Sequence, residues 1–229
     1  MTVGAVDTAV FDVDGTLVDT NYQHALAWYR AFRRFGIGLP VWRLHRAIGM
    51  GGDQLVAAVA GDDVEAEHGD DLRAAWSEEY APMLHEVQAF DGVRDLLTDV
   101  TKRGLTIVLA SSGAPDHVES YLDLFDGRSL AAAWLTSKDV DRTKPQPDLL
   151  QRAVERVGGS AAVLVGDSVW DLVAADHAGI PGYGLRTGGF SPDELRGAGA
   201  REVFESIRDL HDGLDRTLLR GAARRDGES

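Results

Sequence analysis

Five apolar runs, each too short to be a helix, set the fold: Thr8-Ala-Val-Phe-Asp-Val13, Leu105-Thr-Ile-Val-Leu-Ala-Ser111, Ala132-Ala-Trp-Leu135, Ala162-Val-Leu-Val165 and Gly182-Tyr-Gly-Leu185. Apolar runs of about four to eight residues, bounded by turn signals, fit strands buried on both faces. Stretches of helix length lie before and between them, at 92–103, 115–124, 147–157 and 169–178. Short buried strands alternating with helices call for a parallel sheet covered on both sides. The expected fold class is therefore α/β, a Rossmann-like parallel sheet core with helices on both faces.

One stretch breaks the rhythm. Residues 20–85 show no strand pattern but repeated helical ones, at 22–35, 44–48, 53–59 and 64–83. An all-helical insertion after the first strand leaves and re-enters the core at one place, which makes it a candidate lid. The expected division is a core of residues 1–19 and 87–229 carrying the site, with a helical cap at 20–86 that sets substrate specificity. Residues 206–219 can form an amphipathic helix, and 220–229 read as a polar, frayed end. There is no internal repeat and no low-complexity segment.

Charge narrows the partners. With 23 Lys+Arg against 37 Asp+Glu, the net charge of -14 repels nucleic acid backbones and anionic lipid. No run approaches the ~18 apolar residues of a membrane helix, and residues 1–7 lack the basic-then-apolar order of a secretory signal. With no cysteine there are no disulfides, thiol nucleophiles or cysteine-ligated metals. That suits a reducing compartment, and a cytoplasmic location is the expectation. Nothing in the sequence sets an oligomeric state.

In an open parallel sheet, ligands gather at the carboxyl ends of the strands. The expected strand ends carry Asp12-Val-Asp14-Gly-Thr16, Ser111-Ser112-Gly113 and Gly166-Asp167-Ser168, and Lys144-Pro-Gln-Pro147 can reach the same edge. Asp12 and Asp14, two residues apart in an extended segment, face one way. A calcium loop counted from Asp12 needs Gly at its sixth position and Glu at its twelfth, and Leu17 and Gln23 stand there. Hydroxyls and N–H groups at Ser111, Ser112 and Gly113 can hold phosphate oxygens, although Ser-Ser-Gly is also an ordinary helix cap. The prolines around Lys144 suggest an extended backbone before a helix, presenting an ammonium group inward or simply a solvated lysine. Asp167 and Asp171 share a helix face. Converging carboxylates need a counter-charge, and a hard divalent cation such as magnesium supplies one. The seven histidines show no metal-ligand spacing, and GxxxxGK[ST] is absent. Gly182-Tyr-Gly-Leu-Arg-Thr-Gly188 half matches a dinucleotide fingerprint and reads better as a strand-end turn.

Taken in order, these segments resemble the haloacid-dehalogenase-type superfamily, in its phosphoglycolate phosphatase and beta-phosphoglucomutase-like subgroup. Asp12-Val-Asp-Gly-Thr16 matches its first motif, Ser111 its second, Lys144 its third and Gly166-Asp-Ser-Val-Trp-Asp171 its fourth. The resemblance spans nearly the whole chain and includes the helical insertion. It implies that Asp12 attacks phosphorus to form an aspartyl-phosphate, and that Asp14 serves as general acid and then base. It implies that Thr16, Ser111, Ser112, Gly113 and Lys144 support or bind the phosphoryl group. Magnesium would be held by the Asp12 carboxylate, the Asp14 backbone carbonyl and Asp167, with Asp171 orienting its waters.

Asp14 favours phosphate-ester chemistry, because dehalogenases of this superfamily lack an acid there. The expected activity is magnesium-dependent hydrolysis of a small phosphorylated metabolite. The nearer rival is a sugar-phosphate mutase, since His24 matches a cap histidine of those enzymes. Mutases place an arginine where this chain has Gly51 and Gly52, although Arg46 or Arg43 lies nearby. A catalytically silent binding protein of the same fold is the remaining alternative.

Overall fold

The computed structural model describes residues 6–220. Six parallel strands form one sheet in the order β3-β2-β1-β4-β5-β6. They are β1 (Thr8–Phe11), β2 (Thr106–Ala110), β3 (Ala133–Leu135), β4 (Ala162–Gly166), β5 (Gly182–Leu185) and β6 (Ala200–Phe204). Central β1 pairs with both β2 and β4, Phe11 lying opposite Leu109 on one side and Val165 on the other. Its four residues are all buried, as an unbroken apolar run requires. Strand order reverses between β1 and β4, so a crevice opens just beyond Phe11 and Gly166.

Between β1 and the rest of the sheet lie only helices: α1 (Asn21–Arg34), α2 (Val41–His45), α3 (Gly52–Ala60) and α4 (Asp62–Tyr80), then a 3-10 turn at Ala81–Glu86. They close an apolar cluster of their own around Trp28, Phe32, Leu44, Leu55 and Leu72. The sheet is covered by α5 (Val93–Lys102), α6 (Pro115–Leu122), α7 (Gly127–Leu130), α8 (Asp148–Arg156), α9 (Val169–Ala178), α10 (Pro192–Gly197) and α11 (Ile207–Asp212). One large core cluster includes Phe11, Leu109 and Val165, and a second includes Val10, Val108 and Leu164. Adjacent strand residues thus feed opposite faces of the sheet.

The structure departs from the sequence reading in three places. β6 had no apolar signature: it is an edge strand, Ala-Arg-Glu-Val-Phe, with only Phe204 buried. The expected helix at 206–219 is α11 alone, followed after Gly213 by 3-10 turns at Leu214–Arg216 and Leu218–Arg220. The segment leading to α8 runs in turns with a cis peptide between Lys144 and Pro145, rather than extended. The expected frayed end falls, beyond Arg220, outside the described residues. Among those residues no helix is long and apolar enough to cross a membrane.

Candidate active site

The end of β1 delivers Asp12, and the loop after β4 delivers Asp167. Asp171 follows in the first turn of α9, where Ser168 and Asp171 form a capping box. Lys144 reaches them from the turns before α8 and has no exposed surface. Its ammonium group is 2.5 Å from Asp12 Oδ1 and 2.7 Å from Asp171 Oδ1, and it donates to the Ala110 carbonyl at 2.8 Å. The contacts with Asp12 and Ala110 are hydrogen bonds, and the third is an ion pair with Asp171.

One lysine does not balance the acids. Asp12, Asp167 and Asp171 each offer a carboxylate oxygen within 4.8 Å of the others, and all three residues are buried. The Thr16 hydroxyl lies 3.0 Å from Asp12 Oδ2 and 2.9 Å from Asp167 Oδ1, yet it has one hydrogen to give. Asn21 Nδ2 donates to Asp167 Oδ2 at 2.8 Å. Burial pushes the Asp12 carboxyl up to about 7, with Lys144 opposing and the charges of Asp171 and Asp14 adding to the rise. Burial, then the charges of Asp12 and Asp171, hold Asp167 well above the usual carboxylate range. Burial alone would depress Lys144, but its two acidic partners outweigh it and raise its pKa. This buried, oxygen-only donor set with surplus negative charge fits a hard divalent cation.

Asp14 sits in a different environment. Oδ1 is 3.0 Å from His24 Nε2 and accepts from the Thr20 hydroxyl at 3.2 Å, while Oδ2 accepts from Ser111 Oγ at 2.7 Å. Burial pushes its pKa up, but the contacts with His24, Ser111 and Thr20 prevail and hold it below the usual range. His24 lies on α1, so the helical insertion itself touches this carboxylate. The His24 ring stacks on Tyr80, with centroids 4.1 Å apart, which fixes the ring.

Two glycines make room for Asp167. A Cβ at Gly15, where φ is +78°, or at Gly188 would strike Asp167 Oδ2 and crowd Asn21.

Above these groups lies a cavity of about 350 Å³ between the strand ends and the helical insertion. Asp12, Asp14, Ser112 and Gly113 line its floor, and His24, Gly51 and Gly52 line it from the insertion. Thr16, Ser111 and Lys144 stand behind the carboxylates as their hydrogen-bond partners. Asp171 places one oxygen in the ion pair with Lys144, and its other oxygen accepts from Ser168 N at 3.1 Å. Arg46 is a correction. It does not line the cavity: its guanidinium lies 3.8 Å from the Phe190 ring centroid and pairs with Glu194 on α10.

Several participants were missed in the sequence. Asn21 and Thr20 open α1, and Thr143 binds the insertion by accepting from Gly51 N at 3.1 Å and donating to the Asp53 carboxylate. Arg73, Trp28 and Trp76 line the upper cavity. No motif marks these residues; only the helical period, which puts Trp76 and Arg73 on adjoining turns of α4, hints at them.

A doubly wound sheet with carboxylates, a buried lysine and hydroxyls at its switch point defines a class of α/β protein that takes small ligands at the strand ends. The particular family follows from comparison with known proteins. A family model of haloacid dehalogenase-like hydrolases matches residues 6–179, and the chain belongs to that family. Its curated relatives include the validoxylamine A 7'-phosphate phosphatase of Streptomyces hygroscopicus subsp. limoneus, 31% identical over 78% of this chain and 85% of the relative. A phosphoglycolate phosphatase of Caulobacter vibrioides is 30% identical, covering 89% of this chain and 88% of its own. Among solved structures, a hydrolase from Pseudomonas syringae superposes with a TM-score of 0.86 at 32% identity, covering 92% of this chain and 98% of that one. The chain is an enzyme of this family, akin to phosphatases of small phosphate esters.

Proposed function

We propose that the chain hydrolyses a small-molecule phosphate monoester by covalent catalysis at Asp12, with magnesium as its cofactor and the helical insertion as a cap. The observation that carries this is the contrast between two acids at one strand end. Asp12 faces the cavity with one oxygen fixed by Lys144, while Asp14 is held from three sides by His24, Thr20 and Ser111. The contrast is one of placement: Lys144 orients Asp12 toward the cavity as the nucleophile, and Asp14, two residues on and fixed by its own partners, lines the same cavity where a leaving oxygen would lie.

Asp12 attacks phosphorus and the leaving oxygen takes a proton from Asp14. A water deprotonated by Asp14 then attacks the aspartyl-phosphate and frees inorganic phosphate. Lys144 holds Asp12 in line and offsets negative charge as the phosphoryl group arrives. Ser112 and Gly113, on the cavity floor, are placed to bind its oxygens. Asp12, Asp167 and the Asp14 carbonyl would hold magnesium, which neutralises charge on the transferring group.

A mutase must grip a second phosphate; of the two cap arginines offered for that, Arg46 pairs with Glu194, and neither Arg46 nor Arg43 is among the residues lining the cavity. The phosphatase reading is therefore the better supported. The test is turnover of p-nitrophenyl phosphate with and without magnesium. Asp12→Asn abolishes it; an Asp12→Asn enzyme with wild-type turnover rules out the covalent route. Asp14→Asn slows hydrolysis of an alkyl phosphate by about 10²–10⁴-fold, and full activity there removes Asp14 from the chemistry.

A further inference from the structure

The upper half of the cavity constrains what the phosphate is attached to. Its wall is aromatic and aliphatic. Trp28 and Trp76 stack with centroids 5.4 Å apart and planes 18° from parallel, and Ile48, Met50 and Val140 continue the surface. The indole faces are turned to each other, and Trp76 also stacks on Tyr80, so this wall offers a ligand ring edges and aliphatic groups. Such an apolar surface suits the C–H groups of a ring while its hydroxyls stay free to hydrogen-bond.

The charges on that wall point the same way. Beyond the two reacting aspartates, Asp53 and Asp141 line the cavity, and Arg73 is the one lysine or arginine among the described lining residues. Its guanidinium is already spoken for: it donates to Gly52 O at 3.1 Å, Glu65 Oε2 at 3.0 Å and Asp70 Oδ1 at 2.8 Å. Two carboxylates on one guanidinium offset the charge it would present to a ligand. Asp53 is occupied by Thr143, whose backbone N donates to it at 3.1 Å. Asp141 is exposed and has no hydrogen bond or ion pair among the described residues. A carboxylate or second phosphate on the leaving group would meet these acids without a free cation. At roughly 8 Å and an effective dielectric of about 30, one such carboxylate disfavours an added negative charge by on the order of tenfold.

Building on the phosphatase reading above, we infer that the leaving group is a neutral or amine-bearing, hydroxyl-rich ring, so that the substrate class is sugar-like phosphate monoesters rather than small phospho-acids or bisphosphates. The experiment measures kcat/KM of the full chain with magnesium on glucose 6-phosphate, glucosamine 6-phosphate, phosphoglycolate and fructose 1,6-bisphosphate. p-Nitrophenyl phosphate reports phosphate-ester cleavage itself. The sugar monophosphates exceed phosphoglycolate and the bisphosphate by about tenfold or more. Asp141→Lys, a surface change that leaves the circular dichroism spectrum intact, shrinks that ratio by a similar factor. Equal or better turnover of phosphoglycolate or the bisphosphate, or a ratio unmoved in Asp141→Lys, overturns the inference while p-nitrophenyl phosphate is still cleaved. Loss of p-nitrophenyl phosphate cleavage by the unaltered chain instead overturns the phosphatase reading on which it rests.

Discussion

Replacing Lys144 by methionine isolates the balance of charge at the centre of the molecule. Methionine keeps an unbranched apolar stem in a site with no solvent exposure and removes only the ammonium group. Asp12, Asp167 and Asp171, with oxygens within 4.8 Å of one another, then face each other without a cation. Removing one partner of a buried ion pair costs about 3–5 kcal/mol, because the remaining charge is stranded. With a urea m-value of roughly 2–3 kcal/mol/M, the unfolding midpoint falls by about 1–2.5 M at pH 8. The deficit depends on pH in a definite sense. Asp12 already has a raised folded pKa, about 7, so its burial costs stability as pH climbs from the unfolded value near 4 up through 7. Without Lys144 that folded pKa is higher still, and the variant keeps binding a proton where the native protein has released it. The gap between the two proteins therefore widens as pH rises above 7 and is smaller at pH 6. Metal-free urea titrations at pH 6 and pH 8 read this directly. Equal midpoints at pH 8, or a gap that narrows with rising pH, refute the reasoning.

Three further outcomes follow from the same structure. Because Asp12 and Asp167 both have raised pKa values and the cation must displace their protons, magnesium raises the melting temperature more at pH 8 than at pH 6; a shift independent of pH in differential scanning fluorimetry contradicts the assigned ligands. Thr143→Val removes the hydroxyl that joins Gly51 N to Asp53, costing about 1–2 kcal/mol in urea unfolding and raising KM more than it lowers kcat; an unchanged KM means the clasp does not shape the cavity. Asp7 feels a raising effect of burial that is outweighed by hydrogen bonds from Ser160, Thr8 and Ala161, which bring its pKa down to about 2, so its stabilising effect is full above pH 4 and disappears as pH falls to 2. Asp7→Ala therefore lowers the urea midpoint more at pH 5 than near pH 2, and an equal loss at both shows that the charge was not responsible.

How far the sequence could be read depended on whether the deciding interaction was local. β1, β2 and β4 are buried on both faces, so their apolar runs announce them, and the acids appear where those runs stop. β6 lies at the sheet edge with three polar or small residues exposed or half-buried, and its pattern resembles a loop. The carboxylates of the candidate site were visible as strand ends, whereas Asn21 reaches Asp167 across 146 residues of sequence and no spacing rule carries that distance. Arg46 illustrates the opposite error. Its position beside the glycine loop suggested a phosphate grip, but the direction of a side chain at the end of a five-residue helix is set by what packs there, here Phe190 and Glu194. Lys144 was legible as a candidate because prolines flank it; that it would bridge two aspartates depended on the turn geometry before α8.

A protein of net charge -14 should repel a phosphate, and the site shows how this chain can receive one. Lys144 is buried, its neighbours are acids, and they hold its pKa above the usual range. It therefore stays charged, but most of that charge is spent on Asp12 and Asp171. The lysine alone cannot attract a dianion past Asp14. In the proposed reading a divalent cation on Asp12 and Asp167 adds two positive charges to that of Lys144, which together offset the carboxylates of Asp12, Asp167 and Asp171. On that reading the acids that cost the fold stability make phosphate binding conditional on the metal, while the surface beyond can stay acidic.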